Sequence, residues 1–289
     1  MRRFFSALTF LAASLALAAQ ILFHAVPRDS SLPEIFIIGD HHLVDISVID
    51  SIAGVCALAD SCRTLFVEVD PDPDPAEIMQ VLATASDSVC AALLSPLQAD
   101  TLAAAAAAWN LSPDLISGLI HRFGPEIVAS YITNLRFRAL TPFGISGAGL
   151  TDGLYTRMQP RDVTVIPFET AAFQHALLGN HGGIEMLMDL VRDPADSDTR
   201  LLLTTHAYLD GDLATLMDLA TADIAPDMAE DMFYRRNAAW AERLLGADFQ
   251  GPALVAVGCG HLGGDRGLLA LLAPYYQIIP LKPSVSYSK

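Results

Sequence analysis

Two apolar runs near opposite ends of a 289-residue chain constrain its fold more than any other feature: "IFIIG" at 35–39 and "ALVAVG" at 253–258. Short runs of β-branched and aromatic residues that stop at glycine read as buried strands. The first continues into Asp40, His41 and His42, the second into Cys259, Gly260 and His261. Each strand therefore ends in a glycine followed three residues later by a histidine. In open α/β sheets ligands bind beyond the carboxyl ends of the strands, so the question is whether these two ends lie side by side.

The residues between them read as a strand and helix opening followed by a mainly helical middle. "ISVIDSIAGVCALA" from Ile46 has helical spacing of apolar residues, and "TLFVEVD" at 64–70 is a second buried strand. This β-loop-α-β opening favours a parallel pair with a right-handed crossover. From about Ala76 to Arg138 the chain is alanine-rich and helical, with Ser112-Pro113 and Gly124-Pro125 marking helix starts. "TPFGISGAGLTDGLYTRM" reads as a glycine-rich loop entering a helix, and "VTVIPFET" at 163–170 is a third strand. Helical patterns run from Ala171 to Leu245 with a break at 210–212, and "YQIIPL" closes the chain as a last strand. The expected fold is α/β, with a mixed, mainly parallel sheet formed by the N- and C-terminal segments around a large helical middle.

The chain is 52% hydrophobic and 17% charged, which suits a well-buried globular protein. Its 33 acidic and 17 basic residues give a formal net charge of -16. Neutralising phosphates needs clustered Lys and Arg, so nucleic acid is excluded as a partner, and an anionic membrane surface would repel the chain. The start, "MRRFFSALTFLAASLALAAQ", has the order of a secretory signal: two arginines, an apolar stretch from Phe4, then Ala16-x-Ala18. Apolar character continues through Ile21, Leu22, Phe23 and Val26, and an uncleaved span of about 20 residues would attach the chain to a membrane. Residues 1–26 are thus expected to be a signal peptide or an N-terminal membrane anchor. Residues 27–289 would form one domain, periplasmic or extracellular. Of the four cysteines, Cys56 and Cys62 are the nearest pair for a bridge in an oxidising compartment, and two small buried residues on one helix face explain them equally well.

Candidate site residues are those at strand ends: Asp40, His41 and His42, then Glu68 and Asp70, then Glu169, then His261. Imidazoles and carboxylates are the donors that suit Zn, Mn, Co or Fe. The Gly-x-x-His spacing alone is weak, since 19 glycines and 8 histidines predict about 0.5 occurrences by chance. The chain has three, and the one at Gly118 to His121 falls inside a helical pattern and reads as accidental. A solvated turn would explain His41 and His42 equally well. Glu68 is harder to dismiss, because a carboxylate inside "LFVEV" is costly to bury without a partner charge or metal.

In chain order, the two strand-end motifs, Glu68, "PFET" followed by Gln174, "LDGDLATL", "RRNAAWAERLL" and "VAVGCGHLGGDRGLLALL" resemble the TraB/GumN family, which includes the Tiki metalloproteases. The resemblance runs from about Ile35 to Leu281. It implies a metal-dependent hydrolase with a fold related to ChaN and the erythromycin esterases. A divalent ion, Mn, Co or Zn, would be held by His42, Glu68 and His261. Glu169, Arg236 and Asn237 also match positions that the family keeps, and are the implied catalytic residues. The family commonly has Thr or Ser after the first glycine and an apolar residue before the histidine. Here Asp40 and His41 take those places, leaving His41 open as a ligand, a support for the ligands or an exposed residue. Cys259 is a bystander or a thiolate ligand.

The expected chemistry is attack of activated water on a carbonyl, with Glu169 accepting the proton and Arg236 stabilising the oxyanion. An ion pair within its own helix is the plainer account of Arg236. The leading reading is an exported peptidase acting on a peptide or small-molecule substrate. The alternatives are a non-catalytic haem- or metal-binding protein and a regulatory family member with a partly retained site.

Overall fold

The computed structural model describes residues 20–281 apart from 80, 82–93, 182, 223, 247 and 250. Six strands, β1 (Leu22–Pro27), β2 (Ile35–Asp40), β3 (Thr64–Val69), β4 (Thr164–Glu169), β5 (Ala253–Gly258) and β6 (Tyr276–Pro280), form one sheet in the order β4-β3-β5-β2-β1-β6. β4, β3, β5 and β2 run parallel, while β1 lies antiparallel between β2 and β6. The sheet is α/β and mixed, mostly parallel, and built from both ends of the chain as the sequence implied.

The uninterrupted apolar runs have a physical cause. Successive residues of a strand face opposite sides of the sheet, so a strand covered on both faces must be apolar throughout. In β5, Leu254 and Ala256 join one core with Ile38, Leu65 and Val67. Ala253, Val255 and Val257 join the other with Ile35, Ile37 and Phe66.

Ile21 and Leu22 are buried in the first of these cores, and Leu22 to Ala25 pair with Ile38 to Ile35. The apolar residues that seemed to prolong the leader are a strand of the sheet. Residues 1–19 lie outside the described residues. Among those described, no helix is long and apolar enough to cross a membrane.

The helical middle has its own core. Helices Pro96–Ala108, Pro113–Phe123 and Pro125–Leu140 each begin with proline in the first turn, where its missing N–H costs nothing. Ser95 and Gln98 form a reciprocal capping box on the first, and the Ser112 side chain accepts from Leu115 N on the second. Leu102, Trp109, Ile116 and Ile132 pack there against Leu187 and Met188 of helix Gly183–Arg192. Phe137 packs instead into the sheet's core, tying the two layers together. The third Gly-x-x-His lies on helix Pro113–Phe123, away from any strand end. Cys56, Cys62 and Cys259 are free thiols, and Cys90 lies outside the described residues.

Candidate functional site

The two strand ends meet. β2 and β5 pair in parallel with Asp40 opposite Gly258, so both Gly-x-x-His motifs leave the sheet as neighbours. Space is tight for a side chain at both ends. A Cβ on Gly39 would fall 3.1 Å from the Cβ of Cys259. One on Gly258 would fall 3.1 Å from His42 Nε2, 3.2 Å from Glu68 Oε1 and 3.5 Å from His261 Cδ2. The three expected ligands therefore gather around Gly258. Glu68 comes from β3, beside β5, and its Oε1 accepts the Gly258 N–H at 2.6 Å.

Each imidazole is tied back through Nδ1. His42 Nδ1 lies 3.1 Å from Asp40 Oδ2, and a carboxylate only accepts, so the Nδ1 carries the proton. His261 Nδ1 lies 2.7 Å from Asn237 Oδ1. The Asn237 amide is oriented by its Nδ2, which donates to the Arg266 carbonyl at 2.9 Å. A polar partner on one ring nitrogen, with the other aimed into the site, is how proteins orient metal-binding histidines.

The charges follow from the surroundings. Desolvation by the surrounding protein opposes charge on His42, although its side chain opens onto the cavity, but the Asp40 carboxylate and its hydrogen bond, helped by Glu68, outweigh it and raise the pKa to about 9. Burial, with Arg236 nearby, lowers His261 to about 4, leaving it neutral. Burial would raise Glu68, yet His261, His42, Arg236 and the Gly258 N–H bring it down to about 2, so it is ionised.

Arg236 lies at the centre of a buried network. It donates to Glu169 through Nε at 2.8 Å and a terminal nitrogen at 2.9 Å, and the same nitrogen donates to Glu68 Oε2 at 2.9 Å. Its other terminal nitrogen reaches the Met232 carbonyl at 2.8 Å and His261 Nε2 at 3.1 Å. The guanidinium lies over the Trp240 ring, 4.8 Å from its centroid. The ion pairs thus run across the fold to β3 and β4, not along the arginine's own helix, Arg235–Gly246. Trp240 Nε1 donates to Glu169 Oε1 at 3.0 Å, and Gln174 Nε2 bridges Glu68 and Glu169 at 3.0 and 3.1 Å.

The remaining candidates separate. His42 opens onto a cavity of about 500 Å³, with 68% of its side-chain surface exposed there. His41 is buried between Phe137 and Tyr208, at ring distances of 5.5 and 5.2 Å, and burial lowers its pKa to about 4. Glu169 and Asn237 do not line the cavity; they stand behind Arg236 and His261 and hold them. Asp70 accepts from the Asp72 N–H in its own turn. Burial and Asp40 push the Cys259 thiol up to about 12, which keeps it neutral. Sequence reasoning missed Trp240 and Tyr208, whose hydroxyl donates to the Gly39 carbonyl at 2.8 Å. The spacing of Arg236 and Trp240, four apart on one helix, was the available signal for the first.

The donor chemistry fits a divalent ion: two imidazoles, one ionised carboxylate, and Asp40 Oδ1, buried with no hydrogen-bond partner among the described residues. As the side chains are placed, no three His, Cys, Asp or Glu groups among the described residues close on one ion position. Arg236 lies between Glu68 Oε2 and His261 Nε2. The chain belongs to the TraB/PrgY/gumN family, whose sequence profile matches residues 23–275. No curated protein and no solved structure matches it.

Proposed function

We propose that this chain is a metal-dependent hydrolase, a peptidase, whose divalent Mn, Co or Zn ion is held by His42, Glu68 and His261. The observation that carries the reading is the gathering of these three groups at Gly258, with both imidazoles tied back through Nδ1. When bound, such an ion supplies a Lewis acid and lowers the pKa of water. Asp40 and Asn237 hold the Nδ1 protons and keep each Nε2 turned inward. All five N–H groups of Arg236 are engaged, so it would donate to an oxygen that gains charge when a carbonyl is attacked by giving up its bond to His261 Nε2, the nitrogen that would hold the ion. Glu169 was the expected proton acceptor, but each of its oxygens already accepts two hydrogen bonds. Its part in this reading is to position Arg236.

The arginine-led apolar start supports action outside the cytoplasm, in the periplasm or beyond, and N-terminal sequencing of exported protein distinguishes a cleaved signal from an anchor. Incubation with a peptide library plus Mn or Co tests the activity: cleavage that stops on chelation is expected. Absence of cleavage together with a Soret band on haem titration would replace the hydrolase with a binding protein. The hydrogen bonds from Arg236 to Glu68 and His261 favour a second reading, a regulatory protein in which the guanidinium permanently occupies the ion's surroundings. Such a protein would take up neither metal nor haem.

A further inference from the structure

We infer that the cavity selects an apolar side chain beside the bond to be cleaved, an inference that rests on the hydrolase reading. Its floor is polar, with His42, Glu68, Arg236 and His261, whereas much of its wall is apolar. Leu177 and Leu178 come from helix Ala171–His181, Leu201 from helix Pro194–Asp210, and Met232 and Phe233 from the π-helical turn Glu230–Tyr234. All five are only partly buried, so each keeps surface for a ligand.

The π-helical turn joins wall to floor. Such turns are rare and concentrate at functional sites. Here the turn presents the Met232 carbonyl to Arg236, at 2.8 Å, and sets the Phe233 ring 5.3 Å from the His261 ring. Phe233 Cε1 also lies 3.1 Å from where a Cβ on Gly260 would fall, so the ring is closely packed. The apolar surface is therefore held at a fixed place beside the reacting groups. The volume of about 500 Å³ is that of a small-ligand site. A charged side chain lying along this wall would lose its water without gaining a partner, whereas a leucyl side chain gains by burial.

The test uses N-acetylated, C-amidated dipeptides, Leu-Leu, Ala-Ala and Gly-Gly, in which one internal peptide bond is flanked by the varied residue on both sides. Hydrolysis is measured with Mn-supplemented full-length protein, and binding of the same dipeptides is measured by calorimetry without added metal. Leu-Leu should exceed Gly-Gly by about tenfold or more in kcat/KM, the effect expected of lost methylenes in an apolar pocket. Leu178→Asn should reduce that ratio while the protein still folds by circular dichroism. Hydrolysis without preference, or a preference unchanged in Leu178→Asn, overturns the inference and leaves the hydrolase standing. Selective binding of Leu-Leu without hydrolysis of any dipeptide overturns the hydrolase and supports the apolar site. Neither hydrolysis nor selective binding overturns both.

Discussion

Replacing Glu169 with Gln keeps its shape and removes its charge, and the consequence follows from its four hydrogen bonds. Glu169 accepts from Arg236 twice, from Trp240 and from Gln174, so it is the acceptor in all four hydrogen bonds. In Glu169→Gln one oxygen becomes an NH2 group facing donors, while Arg236 loses one of its two carboxylates. The side chains of Arg236 and Glu169 are 8% and 9% exposed, so solvent does not screen the loss. Breaking a buried pair by removing one partner costs about 3–5 kcal/mol. Arg236→Met should cost more, because it leaves both Glu68 and Glu169 buried without their counter-charge. Urea unfolding followed by circular dichroism reads the midpoint shift at constant slope. The double variant should lose less than the two single losses combined, because the contacts are shared. A Glu169→Gln loss within about 0.5 kcal/mol, the range of ordinary surface changes, would refute the reasoning, as would simple additivity.

Other outcomes follow from the same geometry. Gly258→Ala places a methyl group between His42, Glu68 and His261, so metal uptake measured by elemental analysis should fall sharply while the unfolding midpoint moves little. Cys259→Ser should leave metal content unchanged, because His42, Glu68 and His261 gather around Gly258 without it; a fall in content would make the thiol a ligand. Asp45 is buried, caps helix Ile46–Ala53 and accepts from the N–H groups of Ser47, Ser146 and Gly147, and these bonds hold its carboxyl well below the usual range. Asp45→Ala should cost about 2 kcal/mol near neutrality. Because the folded pKa is depressed, that stabilisation is present above about pH 4 and is lost as pH falls below it, so the wild type and variant should converge in acid.

The sheet was legible because its inner strands are buried on both faces, which leaves uninterrupted runs such as Val255 to Val257. The site's position followed from the same runs, since ligands collect where parallel strands end. β1 was not legible, because "LFHAVP" follows an apolar leader without a break and only its pairing with β2 and β6 sets it apart. His42 could be preferred over His41 on spacing, but the burial of His41 depends on Phe137 and Tyr208, which are distant in sequence. The resemblance pointed to Glu169 and Asn237 as catalytic, yet their bonds to Arg236 and His261 run across the fold, which no local pattern encodes. The π-helical turn at 230–234 carries no recognisable sequence signal, so the apolar wall it contributes was missed.

Metal content bears most directly on the central claim. Wild-type protein, His42→Ala, His261→Ala and Glu68→Gln would be purified, incubated with Mn, Co or Zn, desalted and analysed for bound metal per chain. The account predicts about one ion in the wild type and a large loss in all three variants, with far-ultraviolet circular dichroism unchanged in the two histidine variants. Equal metal content in the wild type and both histidine variants would contradict it.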